Sequence, residues 1–109
     1  MNEIMIHAED NEYDELQRVF KDAGIPCKRE RKMTRSATGK AVEYLEIQAI
    51  MTMATVILGI LLAIADRFQK KLYYRKEGKE MELDVQNYKA EDAAKILGDA
   101  RNIIIKKKE

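Results

Sequence analysis

Between residues 47 and 65 the chain carries no charged side chain, and from 51 to 65 it is almost wholly apolar. A helix lying on one face of a sheet needs only one apolar stripe. Here Met53, Val56, Ile57, Ile60, Leu61 and Ile64 fill one broad side of a helix, and Ala54, Leu58, Leu62 and Ala65 fill the other. Leaving a buriable Leu or Ile in water forgoes roughly 1.5–3 kcal/mol, so the second side needs a cover. Three covers meet that need: flanking helices of the same domain, a second copy of the chain, or a bilayer. Thr55, Gly59 and Ala63 form a small-residue row at spacing four, which lets another helix approach closely. With Leu58 and Leu62 this row is the expected self-association surface. A bilayer span needs about 20 predominantly apolar residues, and 47–65 reaches that only with Gln48, Thr52 and Thr55 counted in. Burial against a copy is the expectation adopted, and a single-span tether in an inner membrane is the alternative.

The segments on either side of that run read as halves of one small sheet. A length of 109 residues leaves interior for one core, so residues 1–109 are expected to form a single domain. Ile4 and Ile6 share one face of a first strand over residues 1–7. A helix follows from an Asp10-Asn11 cap to about Ala23, with Leu16, Val19, Phe20 and Ala23 inward. Gly24 suits the left-handed position after its last turn, Ile25 folds back, and Pro26 prevents continuation. Residues 27–33 alternate as an edge strand, and 34–40 form the expected flexible loop. Residues 41–50 fit a helix or a strand, with the strand preferred.

After the long helix, Glu77-Gly78 sets a two-residue hairpin turn. Lys76 then faces Lys79, Arg75 faces Glu80, Tyr74 faces Met81, Tyr73 faces Glu82, Leu72 faces Leu83 and Lys71 faces Asp84. One side of that ladder is apolar and the other pairs basic with acidic residues, so a one-residue slip would destroy both patterns. Asn87 caps a last helix with Ala93, Ile96, Leu97 and Ala100 inward. Ile103-Ile104-Ile105 extends that helix or makes a short strand, and 106–109 is a solvated tail. The class expected is α/β (α+β): one sheet with a charged hairpin, helices on one face, a ferredoxin-like layout and one long hydrophobic central helix.

Charge is segregated although the formal net charge is only +1. Seven carboxylates against two cations occupy residues 1–24, and Lys28, Arg29, Arg31, Lys32, Arg35 and Lys40 crowd the next stretch against Glu30 alone. Those six cations are a candidate contact for anions or nucleic acid, because Lys and Arg bind phosphate without sequence preference. Local solvation with mutual neutralisation is the plainer reading of the same residues.

Catalytic chemistry finds little purchase. His7 has Glu9 and Asp10 nearby but no second His and no nucleophile to serve as a general base. Cys27 is the one cysteine, so no internal disulfide forms and a cytoplasmic setting is the default. Lys28 and Arg29 beside it would lower its pKa. Thr38-Gly39-Lys40 ends like a phosphate loop but lacks the upstream glycine. No enzyme, no cofactor, no metal and no small-molecule substrate is expected. The first residues, Met1-Asn2-Glu3-Ile4, are acidic where a secretory signal is basic.

Taken in order, residues 14–24, Gly39, residues 45–50, residues 54–62 with Arg67, and residues 71–85 around Gly78 resemble the effector-associated constant component family of bacterial conflict systems. In place of the glycine-rich break expected before the long helix, the chain has Met51-Thr52-Met53. The resemblance implies a non-enzymatic adaptor coupling a sensor to an effector in bacterial defence, with no catalytic residues to carry over. The helix with two apolar sides leads to the function expected, a protein-binding, self-associating module whose partners are its own copy and another protein.

Overall fold

The structure is a computed structural model, and it describes residues 2–33, 41–83 and 90–107. In chain order the elements are β1 (Asn2–His7), α1 (Asp10–Asp22), β2 (Cys27–Met33), β3 (Ala41–Ala49), a 3-10 turn (Met51–Met53), α2 (Ala54–Arg67), β4 (Lys71–Lys76), β5 (Lys79–Leu83), a second 3-10 turn (Ala90–Asp92), α3 (Ala93–Asp99) and β6 (Asn102–Lys106). The strands make one mixed sheet in the order β2-β3-β1-β6-β4-β5. Its two middle strands, β1 and β6, run parallel, and every other neighbouring pair is antiparallel.

Alternation along the strands sorts the residues between two faces. Ile4, Ile6, Leu45, Ile47, Leu72, Leu83, Ile103 and Ile105 point to one face and are buried there. They form one core with Leu16 and Phe20 of α1, Ile57, Leu58, Leu61 and Ile64 of α2, and Ala93 and Leu97 of α3. All three helices therefore cover the same face. α2 lies between α1 and α3 and touches both.

Local chemistry explains the element ends. α1 is capped by Glu9, one residue earlier than the Asp10-Asn11 expectation. It closes in a Schellman arrangement: the Ile25 N–H donates to the Phe20 carbonyl at 2.8 Å, the Gly24 N–H donates to Lys21, and Gly24 takes φ +77°. The hairpin turn has φ +52° at Glu77 and +77° at Gly78, which is the twist that suits the flanking strands. Its observed register matches the sequence reading from Lys76↔Lys79 to Leu72↔Leu83. The expected Lys71–Asp84 pair, the Asn87 cap and the 34–40 loop lie outside the described residues.

The strand preferred for residues 41–50 is present as β3, which takes in Leu45 and Ile47, and α2 begins only at Ala54. Of the two readings of residues 103–105 the strand is the observed one, because Ile103 and Ile105 fill the core while Ile104 points the other way. One expectation changes: Lys106 belongs to β6 and not to a solvated tail. Among the described residues no helix is long and apolar enough to cross a membrane. The 14 residues of α2 span about 21 Å at the helical rise, against about 30 Å of hydrocarbon.

Candidate interaction surface

Among the described residues the second face of the sheet is left uncovered by the helices, and the strand register says what lies on it. One row crosses all six strands: Lys28 (β2), Glu46 (β3), Met5 (β1), Asn102 (β6), Arg75 (β4) and Glu80 (β5). The next row reads Glu30, Tyr44, His7, Ile104, Tyr73 and Glu82 in the same strand order. Its His7–Tyr44 step is marked by ring centroids 6.3 Å apart. Met5, Tyr44, His7, Ile104 and Tyr73 are all partly exposed. They make an apolar and aromatic band along the middle of the face, bounded by charge at both sheet edges.

Polar contacts hold this band in place. His7 Nε2 lies 3.0 Å from Asn102 Oδ1 across the parallel β1–β6 pair. The Lys106 ammonium sits 4.9 Å above the Tyr73 ring and donates to Glu80 at 2.6 Å. Arg75 reaches the same carboxylate at 3.3 Å. These two hydrogen bonds, Lys106 first and Arg75 second, hold the Glu80 carboxyl below its usual range.

The other half differs in sign. Glu3, Glu30 and Glu46 stand on the β2-β3-β1 side, where Lys28 pairs with Glu30 at 3.0 Å. A hydrogen bond that the protonated Glu46 carboxyl donates to Glu3 raises the Glu46 pKa, with burial and the Glu3 charge acting in the same direction. Beside these two carboxylates lies a shallow pocket of about 400 Å³, lined by Glu3, Met5, Tyr44, Glu46, Gly98, Ala100 and Arg101.

The residues singled out in the sequence fall elsewhere or divide. On α2, Thr55, Gly59 and Ala63 are exposed as expected, but Leu58 is fully buried and Leu62 half-buried. The second apolar side of the helix is thus largely taken up by the chain's own α1, α3 and sheet, which moves Leu58 out of any surface. What α2 still shows is a narrow uncharged stripe with Val56 at 46% exposure.

The basic segment splits between the two sheet faces. Arg29 turns to the helix side, where it meets Asp10 at 2.8 Å, Asp14 at 3.5 Å and Glu43 at 2.9 Å, and Arg31 joins Glu43 at 3.1 Å. The acidic first helix and the basic strand therefore neutralise each other, with the Arg29 hydrogen bond lowering the Glu43 pKa. Lys28 faces the open side, Lys32 lies in β2 opposite Val42, and Arg35 and Lys40 lie outside the described residues. Cys27 is half-buried, and its thiol points at the Gln17 carbonyl 3.9 Å away. Burial pushes its pKa up, against the lowering suggested by its basic neighbours in sequence. Among the described residues there is no group of three or more His, Cys, Asp or Glu placed to hold a metal ion.

The open face escaped the sequence reading for a definite reason. Its rows exist only once β6 is inserted between β1 and β4, and that neighbour relation spans nearly the whole chain. The alternation of Glu3, Met5 and His7 with Ile4 and Ile6 was the available signal. Comparison with protein-family models, with curated proteins and with solved structures gives no match.

Proposed function

We propose that the chain is a non-catalytic protein-interaction module that works through the bare face of its sheet. The observation that carries this reading is the Tyr44–His7–Ile104–Tyr73 row, which lies across the four inner strands with none of the described elements above it. Aromatic residues and Met at the centre of a patch with charge at its rim are the composition of protein contact surfaces. The inner strands β3-β1-β6-β4, with a parallel central pair and helices on one side, are read as a ferredoxin-like layout extended by an edge strand on each flank. The resemblance to the effector-associated family supports an adaptor role in bacterial defence, and a lone cysteine held as a thiol fits the cytoplasm.

A second reading keeps the contact on α2, and the exposed Val56 with Thr55, Gly59 and Ala63 favours it. Affinity capture with mass spectrometry separates the two readings. A Tyr44→Ser/Ile104→Ser variant is expected to lose the proteins held by the wild type, including untagged copies of the chain, while Val56→Glu keeps them. Equal capture by the wild type and the sheet-face variant contradicts the proposal.

A further inference from the structure

We infer that the open sheet face is the contact surface for a second copy of this chain, the two sheets stacking about a two-fold axis that runs in the interface along β1 and β6. This deepens the reading above and rests on it. Rotation about such an axis keeps each row at its own height and exchanges left for right. The copy's β6 then lies over β1, its β4 over β3 and its β5 over β2.

The row Lys28–Glu46–Met5–Asn102–Arg75–Glu80 meets its own reversal in this arrangement. Lys28 falls opposite Glu80 of the copy, Glu46 opposite Arg75, and Met5 opposite Asn102. Both charged pairs are of opposite sign, and the symmetry makes each of them twice. In the next row Tyr44 falls opposite Tyr73 and His7 opposite Ile104, so the aromatic band covers itself.

The other in-plane axis, across the strands, keeps each strand over its own counterpart. It sets the half that carries Glu3, Glu30 and Glu46 against Lys28 on itself, and the excess of like charge opposes association. The axis along the strands is the one that brings Glu46 to Arg75. At the rim Glu30 comes opposite Glu82, but stacked sheets turn by roughly 30° relative to each other, which carries the edge-strand pairs Glu30–Glu82 and Lys28–Glu80 apart alike and leaves the inner Glu46–Arg75 pair as the one that counts.

The pocket beside Glu3 and Glu46 has a place in this arrangement. An arginine from the copy's β4 reaches it with Tyr44 as a wall, and a guanidinium satisfies both requirements by pairing with carboxylate and stacking on an aromatic face. Strand spacing and rise make the face roughly 25 by 20 Å. Corrugation by side chains brings its accessible area toward the ~800 Å² per partner of a standard interface.

The experiment is a complementation test by sedimentation velocity, with circular dichroism to show that each variant is folded. Wild type is expected to dimerise. Glu46→Arg alone and Arg75→Glu alone are each expected to weaken the dimer at least tenfold, because each sets like charges opposite one another twice. Mixing the two variants is expected to restore a dimer of one copy of each, which no loss of folding can imitate. Val56→Glu is expected to leave the wild-type dimer intact. Wild type monomeric throughout a concentration series overturns the second-copy inference. The interaction reading then stands or falls separately on whether Tyr44→Ser/Ile104→Ser still loses its captured proteins. A wild-type dimer that survives both charge variants and dissolves on Val56→Glu overturns the inference and moves self-association to α2.

Discussion

Glu12 sits in the first turn of α1 at 1% exposure, and its carboxylate meets the Lys70 ammonium at 2.5 Å, on a side chain only 8% exposed. The same carboxylate accepts the Glu9 backbone N–H at 3.4 Å, and Glu9 also reaches Lys70 at 3.4 Å. This pair locks the start of α1 to the link between α2 and β4. Burial works against the Lys70 ammonium, but the hydrogen bond and charge of Glu12, aided by Glu9, outweigh it and raise the pKa. A lysine raised in the folded state stabilises fully below its unfolded pKa of about 10.4. That contribution is lost as pH rises through the higher folded value, so denaturation midpoints are expected to fall on the alkaline side. Glu43 and Glu80 have lowered values, and their contribution disappears as pH drops through their folded pKa values. Lys70→Met leaves the buried Glu12 carboxylate without its partner, at a cost of about 3 kcal/mol, and Glu12→Gln is expected to cost less because Lys70 keeps Glu9. The double variant is expected to lose less than the two single losses together, as read by urea denaturation.

At the scale of elements, the β4–β5 hairpin has a turn residue at odds with its backbone. Glu77 holds φ +52°, a left-handed conformation that costs most L-residues roughly 1–2 kcal/mol. Glu77→Asn supplies the Asn-Gly pair that this turn favours and is expected to raise the thermal midpoint by several degrees. Gly78→Ala, at φ +77°, is expected to lower it by a similar amount. An unchanged midpoint in both variants would contradict this account of the turn. The hairpin was legible in the sequence because its register is written twice, once in Leu72 and Leu83 and again in Arg75 and Glu80. The start of α2 was not, because Ile47 in a strand and Ile57 in a helix both end in the core and leave the same apolar signature. Ile103-Ile104-Ile105 posed the same problem, since a three-residue apolar run has no period. Leu58 and Leu62 were misplaced because a sequence shows how much of a helix is apolar but not how many neighbours the fold supplies.

For the whole molecule, the consequence is a division of labour between the two sides of one sheet. Three helices and the sheet's inner face form a closed core, so the hydrophobic middle segment is mostly used up within the chain. What remains for a partner is the other sheet face, an aromatic and aliphatic band flanked by halves of unlike charge. Concentration-dependent NMR spectra of isotope-labelled protein test this directly, because they map the covered surface residue by residue. On dilution, signals of Met5, His7, Tyr44, Tyr73 and Ile104 are expected to shift together while those of Thr55, Val56, Gly59 and Ala63 stay fixed. Shifts confined to the α2 stripe, or a spectrum unchanged at every concentration, would contradict the assignment of the open sheet face as the contact between two copies of the chain.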